Sequence, residues 1–192
     1  MTRATHLLIL ATVAAAAHAP AAFTIDASSP GVELDFAFLD CVGSSHGALA
    51  QRADYRAHLA AVQRDIGFRS IRGHGLLSDD MSALLGGEPN LFNMFSAFDF
   101  YLSVGLKPLF ELSFMPAALA ADPSHTIMHY AGGTSAPRSF DEWHSFIAGV
   151  FAGLVGRYGV EEVRKWRCEV RVYVRSAARG CFDCVRPRRC SG

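Results

Sequence analysis

The sequence predicts an α/β fold of parallel βα units, an incomplete (β/α)8 TIM barrel with about four parallel strands and three helices. Three observations carry this. Short apolar runs of strand length alternate with longer stretches whose apolar residues recur every three or four positions. Glycines stand at the ends of the helical stretches, at Gly67, Gly105 and Gly159, where a helix C-terminus favours them. The strands read as mostly apolar, the signature of parallel βα units.

Val32 to Leu39 alternates with period two and runs on to Cys41, which predicts a first strand over 33–41. Arg52 to Ile66 places Tyr55, Leu59, Val62 and Ile66 on one helical face, and Gly67 stops it. A second strand follows over 68–73 and opens into Gly73-His74-Gly75. Phe92, Phe95, Phe98, Tyr101 and Leu102 mark a helix over 91–104. The run Lys107 to Phe114 is a third strand, and a loop rich in Ala, Pro, Ser and Gly extends from Met115 to Pro137. Ser139 or Asp141 caps a third helix over 139–158, with Phe146, Val150, Leu154 and Tyr158 on one face. A fourth strand is expected over 165–172. Right-handed crossovers then put every helix on one side of a curling sheet. An open doubly wound sheet is the competitor, but the first turn carries no G-x-G-x-x-G.

Length and composition bound the rest. The chain has 192 residues, room for one ordinary domain and short of the roughly 250 of a complete barrel. With 51% hydrophobic and 19% charged residues it should bury a core rather than stay disordered. Eighteen basic and eighteen acidic residues cancel, so no net field draws the chain to nucleic acid or to an anionic membrane. The balance is uneven along the chain: from Arg171 onward there are six arginines against one acid, Asp183.

Residues 1–22 read as a signal peptide. Arg3 supplies a basic start, Leu7 to Val13 an apolar run, and the small residues from Ala17 to Ala22 several cleavage points. The run falls short of the roughly 20 residues of a membrane span; an alanine-rich first helix is the alternative. Export is expected, to the extracellular space or the lysosome, with no membrane association beyond the signal. Of five cysteines, Cys41 and Cys168 lie in strand-like runs, where a buried free thiol is the commoner state. Cys181, Cys184 and Cys190 crowd the end of the chain with one C-x2-C spacing. No second pair and no nearby histidine completes a zinc site, so no metal is expected. No cofactor is expected either.

In a barrel the working groups sit at the C-terminal ends of the strands. Those positions here are Gly43 to His46, His74-Gly75 and Glu111 to Phe114. His74, between two glycines after a strand, is placed to reach a ligand, though a lone histidine is more often a satisfied loop residue. Glu111 lies among apolar neighbours and needs a partner, which makes it a structural hub as readily as an acid. Asp79-Asp80 reads as loop and capping chemistry before a metal pair. Phe114 and Trp143 offer faces for stacking on a sugar, with core packing the default.

The strings around these residues say more. The run Asp65-Ile66-Gly67-Phe68-Arg69-Ser70-Ile71-Arg72-Gly73-His74-Gly75-Leu76-Leu77-Ser78-Asp79-Asp80 resembles the second-strand region of glycoside hydrolase family 39, the β-xylosidases and α-L-iduronidases. Phe98 to Leu102, then Gly105 to Pro108 and Phe110 to Pro116, resemble its third-strand signature. Arg157 to Trp166 resembles the approach to its fourth strand. The likeness spans residues 31–170, in register.

The resemblance implies a retaining glycosidase acting on carbohydrate, a xyloside or uronide glycan, with two glutamates about 5–5.5 Å apart as acid/base and nucleophile. It implies that His74, Glu111 and, more loosely, His46 bind substrate. It also exposes a departure. Where the family's Trp-Asn-Glu-Pro should follow Val170, this chain reads Arg171-Val172-Tyr173-Val174. Tyr173 occupies the acid/base position, and no late strand supplies a nucleophile. Tyrosine, with a reference pKa near 10, cannot fill both carboxylate roles, so no catalytic residue is assigned and the chain is expected to be inactive alone. Sixteen of the 18 basic residues are arginine, as GC-rich coding DNA would give. Residues 171–192, a basic Cys-rich tail, therefore read as a frame or splicing product outside the family sequence. Two other readings stay open: a non-catalytic secreted carbohydrate-binding remnant, and an interaction module stapled through the cysteine tail.

Overall fold

The computed structural model describes residues 23, 24, 26, 28 and 30–170. The signal-peptide reading of residues 1–22 and the reading of the 171–192 tail, Tyr173 included, lie outside them. The chain divides into two units, one ending at Leu34 and one starting at Asp35. In the first, the Ser28 N–H and hydroxyl both donate to Asp26 Oδ1, an Asx turn.

The second unit holds one four-stranded sheet in the order β1 (Val42–His46), β2 (Ser70–His74), β3 (Lys107–Glu111) and β4 (Arg167–Glu169). All three pairings are parallel. Helix α1 (Ala53–Ile66) joins β1 to β2, α2 (Phe92–Ser103) lies between β2 and β3, and α3 (Phe140–Tyr158) with the short α4 (Val160–Val163) leads to β4. The expected succession of four parallel strands and three principal helices is therefore present.

Helix bounds agree with the sequence to within a residue, because their stops are chemical. Gly67 closes α1 at φ 79°, a left-handed conformation that costs glycine nothing. Ser139 caps α3, its Oγ accepting the Glu142 N–H. On α2, buried Met94, Ala97, Phe98 and Tyr101 share one face. On α3, buried Phe146, Val150 and Leu154 recur every four residues. They meet the strand residues Ile71 and Phe110 in a single core. Phe98 is its hinge point: its ring packs edge-on against Phe110 at 5.8 Å and Trp166 at 5.4 Å.

The first strand is a correction. It is not at 33–41 but at Val42–His46, and Phe36–Leu39 forms a 3-10 turn. Asp35 is the cause: its carboxylate accepts the Ala37 N–H at 2.8 Å and caps that turn. The alternating Leu34, Phe36 and Phe38 remain 61, 54 and 55% exposed, so their pattern corresponds to no buried face. The true strand, Val-Gly-Ser-Ser-His, carries almost no strand propensity and is held by β2. The third strand also stops early, at Glu111 rather than 114. Cys41 is free and half-buried, whereas Cys168 is free but exposed. Among the described residues β4 pairs with β3 alone, and an edge strand leaves its side chains open to water.

Side-chain alternation gives the sheet two unlike faces. Ile71 and Phe110 point to the helices. Ser70, Arg72, Glu111, Arg167 and Glu169 lie on the other face and bond to one another. At its lower end Arg167 reaches Asp40 Oδ2 at 2.6 Å and Ser70 Oγ at 2.5 Å, while the Ser70 hydroxyl donates to the Asp40 carbonyl. These bonds skip β3 to join β2 with β4, as side chains inside a curled barrel sheet do.

Candidate functional site

The C-terminal ends of the strands carry two adjoining groups. The first is built on Arg72. Its Nη2 lies 2.5 Å from Glu111 Oε2, its Nε donates to Glu169 Oε2 at 2.6 Å, and its Nη2 donates to Glu169 Oε1 at 3.1 Å. Glu111 is completely buried. A buried carboxylate with no cation would be untenable; one guanidinium, planar and permanently charged, serves two carboxylates here. Glu111 is thus held in an ion pair at the end of β3.

The second group gathers His46, His74, Asp80 and Tyr130. The histidines end adjacent strands, with ring centroids 5.8 Å apart. A strict alternation along β1 would send His46 the same way as Ser44, under the helices. The β1–β2 register instead slips between Gly43 and His46, and Ser45 sits at φ 63°; such a bulge re-aims the next side chain. His46 Nε2 then meets Asp80 Oδ2 at 2.5 Å. On the other side of the ring, Nδ1 packs on Gly75. A Cβ at Gly75, which has φ 74°, would come within 2.6 Å of Nδ1, so only glycine serves there.

Tyr130 completes the group from the loop that follows β3. Its ring stacks on His46 at 4.0 Å and 13°, and its hydroxyl lies 2.8 Å from His74 Nε2. Burial raises its pKa, and the nearby Asp80 and Glu111 raise it further, so the phenol keeps its proton at neutral pH. The loop is not structureless. A two-residue antiparallel pair, Thr126–Ile127 with Gly132–Gly133, forms an arm with Tyr130 at its tip. The arm is anchored by Met115 N–H to the Gly133 carbonyl and by Gly132, whose missing Cβ admits the Phe114 ring.

Asp79 and Asp80 turn to different partners. Asp79 accepts the N–H of Ala117 at 3.0 Å, capping a turn 38 residues away, while Asp80 holds His46. Among the described residues no group of three or more His, Cys, Asp or Glu could hold a metal ion. Phe114 is buried and edge-on to His74 at 5.9 Å. Trp143 lines a cleft of about 300 Å³ with Leu112, Phe114, Met115, Pro137 and Val170. That cleft borders the histidines through Phe114 without including them. No described helix is long and apolar enough to cross a membrane.

Of the residues expected to bind substrate, His46 and His74 come together, and Glu111 joins the neighbouring ion-pair group. Sequence reasoning missed Tyr130, which lay in an unpatterned loop. It also missed the pairing of Arg72 with Glu169, which no local spacing announces across 97 residues.

Known proteins give this geometry a context. A β-xylosidase from Caldicellulosiruptor saccharolyticus is 44% identical over 135 residues, covering 68% of this chain and 28% of that protein. Another from Geobacillus stearothermophilus is 40% identical over 138 residues. The chain thus spans little more than a quarter of the relatives it matches. The solved structure of a GH39 β-xylosidase from Caulobacter crescentus superposes with a TM-score of 0.66 at 33% identity, over 71% of this chain and 31% of that one. Its likeness accords with four parallel strands of an incomplete α/β barrel. The family model for glycosyl hydrolases family 39 matches residues 22–172, and with polar groups converging at the strand ends where that fold keeps its working residues, the chain belongs to glycosyl hydrolases family 39.

Proposed function

We propose that this chain supplies the sugar-binding side of a β-xylosidase-type glycosidase cleft, with His46 and His74 at the sugar and the buried Glu111 supporting that site through Arg72, and that the 192-residue polypeptide does not itself hydrolyse glycosides. The observation that carries this reading is the pair of histidines at the ends of adjacent parallel strands, beside a buried carboxylate. The His74 imidazole offers a hydrogen bond to a sugar hydroxyl and the His46 ring a stacking face, and Phe114 and Trp143 nearby offer apolar surface. The relatives' names favour a β-xyloside as the substrate class.

The chemistry expected of the family is retaining hydrolysis, which needs a proton donor and a carboxylate nucleophile across one bond. Glu111 and Glu169 are both engaged by Arg72. The acid/base position falls on Tyr173, a phenol where the family's chemistry needs a carboxyl group. Export to the extracellular space or the lysosome completes the proposal and rests on the apolar N-terminal run.

Two measurements test it. The purified, folded 192-residue chain should release no chromogenic aglycone from an aryl β-xyloside above the buffer rate, and turnover abolished by Glu111→Gln would overturn the inactivity. The same chain should bind methyl β-D-xylopyranoside, and His74→Ala should weaken that binding by roughly 5- to 10-fold, the loss of one hydrogen bond. The coding DNA beyond the Val170 codon is the third check: an Asn-Glu-Pro run in another frame or after a splice site would mark residues 171–192 as foreign to the family.

A further inference from the structure

Neither histidine of the proposed sugar site is open as the chain stands. His46 Nε2 is engaged by Asp80, its ring face is covered by Tyr130, and His74 Nε2 faces the Tyr130 hydroxyl at 2.8 Å. What covers them is one side chain at the tip of an arm. The arm is secured at its base, where Asp122 N–H donates to Ser135 Oγ and Ala121 N–H to the Ala136 carbonyl. At the tip Met128 and Ala131, either side of Tyr130, have φ of 64° and 52°, an uncommon backbone for non-glycine residues. Tyr130 is held from both sides: its hydroxyl donates to Met128 Sδ at 3.1 Å within the tip, while its ring stacks on His46 and its hydroxyl lies against His74 Nε2.

We propose that Tyr130 is a specificity-determining latch that imitates the ligand: its hydroxyl takes the place of a sugar hydroxyl on His74 Nε2, and its ring the place of a sugar's apolar face on His46. The ligand that replaces it must present both at once, a hydroxyl in the plane of one face and a C–H surface on the other. A β-xylopyranoside does so, because all its ring substituents are equatorial and both faces are C–H. An axial hydroxyl would break the stack on His46. This rests on the sugar-binding reading above, and deepens it: the closed arm lowers apparent affinity by the fraction of molecules it holds shut.

The test is Tyr130→Phe in the full chain, which keeps the stacking ring and removes only the hydroxyl. One hydrogen bond lost from the closed state should speed amide hydrogen exchange at Met115 and Thr134, whose N–H groups tie the arm, by roughly 2- to 10-fold. The same change should tighten binding of methyl β-D-xylopyranoside by a similar factor. Methyl α-L-arabinopyranoside, which differs from the xyloside only in an axial hydroxyl at C4, should bind more weakly to both proteins. Unchanged exchange overturns the latch. Faster exchange with weaker xyloside binding also overturns it, because the phenol would then be a ligand contact and not a cover. Faster exchange with no sugar bound by either protein supports the latch and refutes the sugar-binding reading, so the two failures are distinct.

Discussion

Arg72 shows how much can hang on one side chain. Its guanidinium bridges two carboxylates, and Glu111 has no exposure to water at all. Removing the cation leaves that carboxylate buried beside a second negative charge, so Arg72→Ala should destabilise the fold by about 3–5 kcal/mol. Arg72→Lys should lose part of this, since an ammonium cannot present the same fork to two acids. Glu111→Gln should be milder than Arg72→Ala, because Arg72 keeps Glu169. Urea midpoints of the three variants check the order; an Arg72→Ala protein as stable as wild type would show that Glu111 finds another partner. The pairing was not legible in the sequence. Glu111 was suspected because it is a charge in an apolar run, but its cation lies on a neighbouring strand, and local spacing says nothing of that.

At the scale of elements, α3 offers a paired test within one helix. Gly149 and Gly156 share the helix, so each gains the same backbone benefit from alanine, roughly 0.5–1 kcal/mol. Their surroundings differ. A Cβ at Gly149 would meet Pro89 Cγ at 2.7 Å, while nothing lies within 4 Å at Gly156. A proline ring cannot rotate aside, so Gly149→Ala should lower Tm and cost about 1–3 kcal/mol by overpacking. Gly156→Ala should raise Tm. Equal shifts of the same sign would mean that α3 does not sit against Pro89, in the antiparallel pair that Leu84–Leu85 forms with Glu88–Pro89. The helices themselves were legible because period and punctuation agree: Ser139 starts α3 and Gly67 stops α1. The first strand was not, since Phe36 and Phe38 mimic a strand that Asp35 converts to a turn, while Gly43-Ser44-Ser45 become a strand only because β2 lies alongside.

For the molecule as a whole, the tyrosines set an alkaline limit. Burial is the first cause in raising the pKa of each of Tyr55, Tyr101, Tyr130 and Tyr158 above its ordinary value. At Tyr158 the Asp99 carboxylate adds to the effect. The sign follows from proton uptake. A phenol harder to ionise when folded leaves stability intact below its unfolded pKa near 10 and removes it as pH climbs beyond that value. Stability should therefore stay level from neutrality to about pH 10 and fall above it. Tyrosinate absorbance of these four should rise together with the loss of helical circular dichroism. Four tyrosines titrating near pH 10 in a chain that stays folded would contradict the burial described for Tyr101.

The sequence by itself determined the βα succession, the helix limits, the family and the prominence of His74, because periodicity, capping chemistry and short motifs are written in neighbouring residues. Tertiary structure alone decided where β1 lies and which side chains meet His46 and His74. It also decided that Arg72 serves Glu111 and Glu169 together. Those outcomes depend on contacts across 34, 56 and 97 residues. A curled parallel sheet brings such residues to one end of the strands, and no local pattern encodes that convergence.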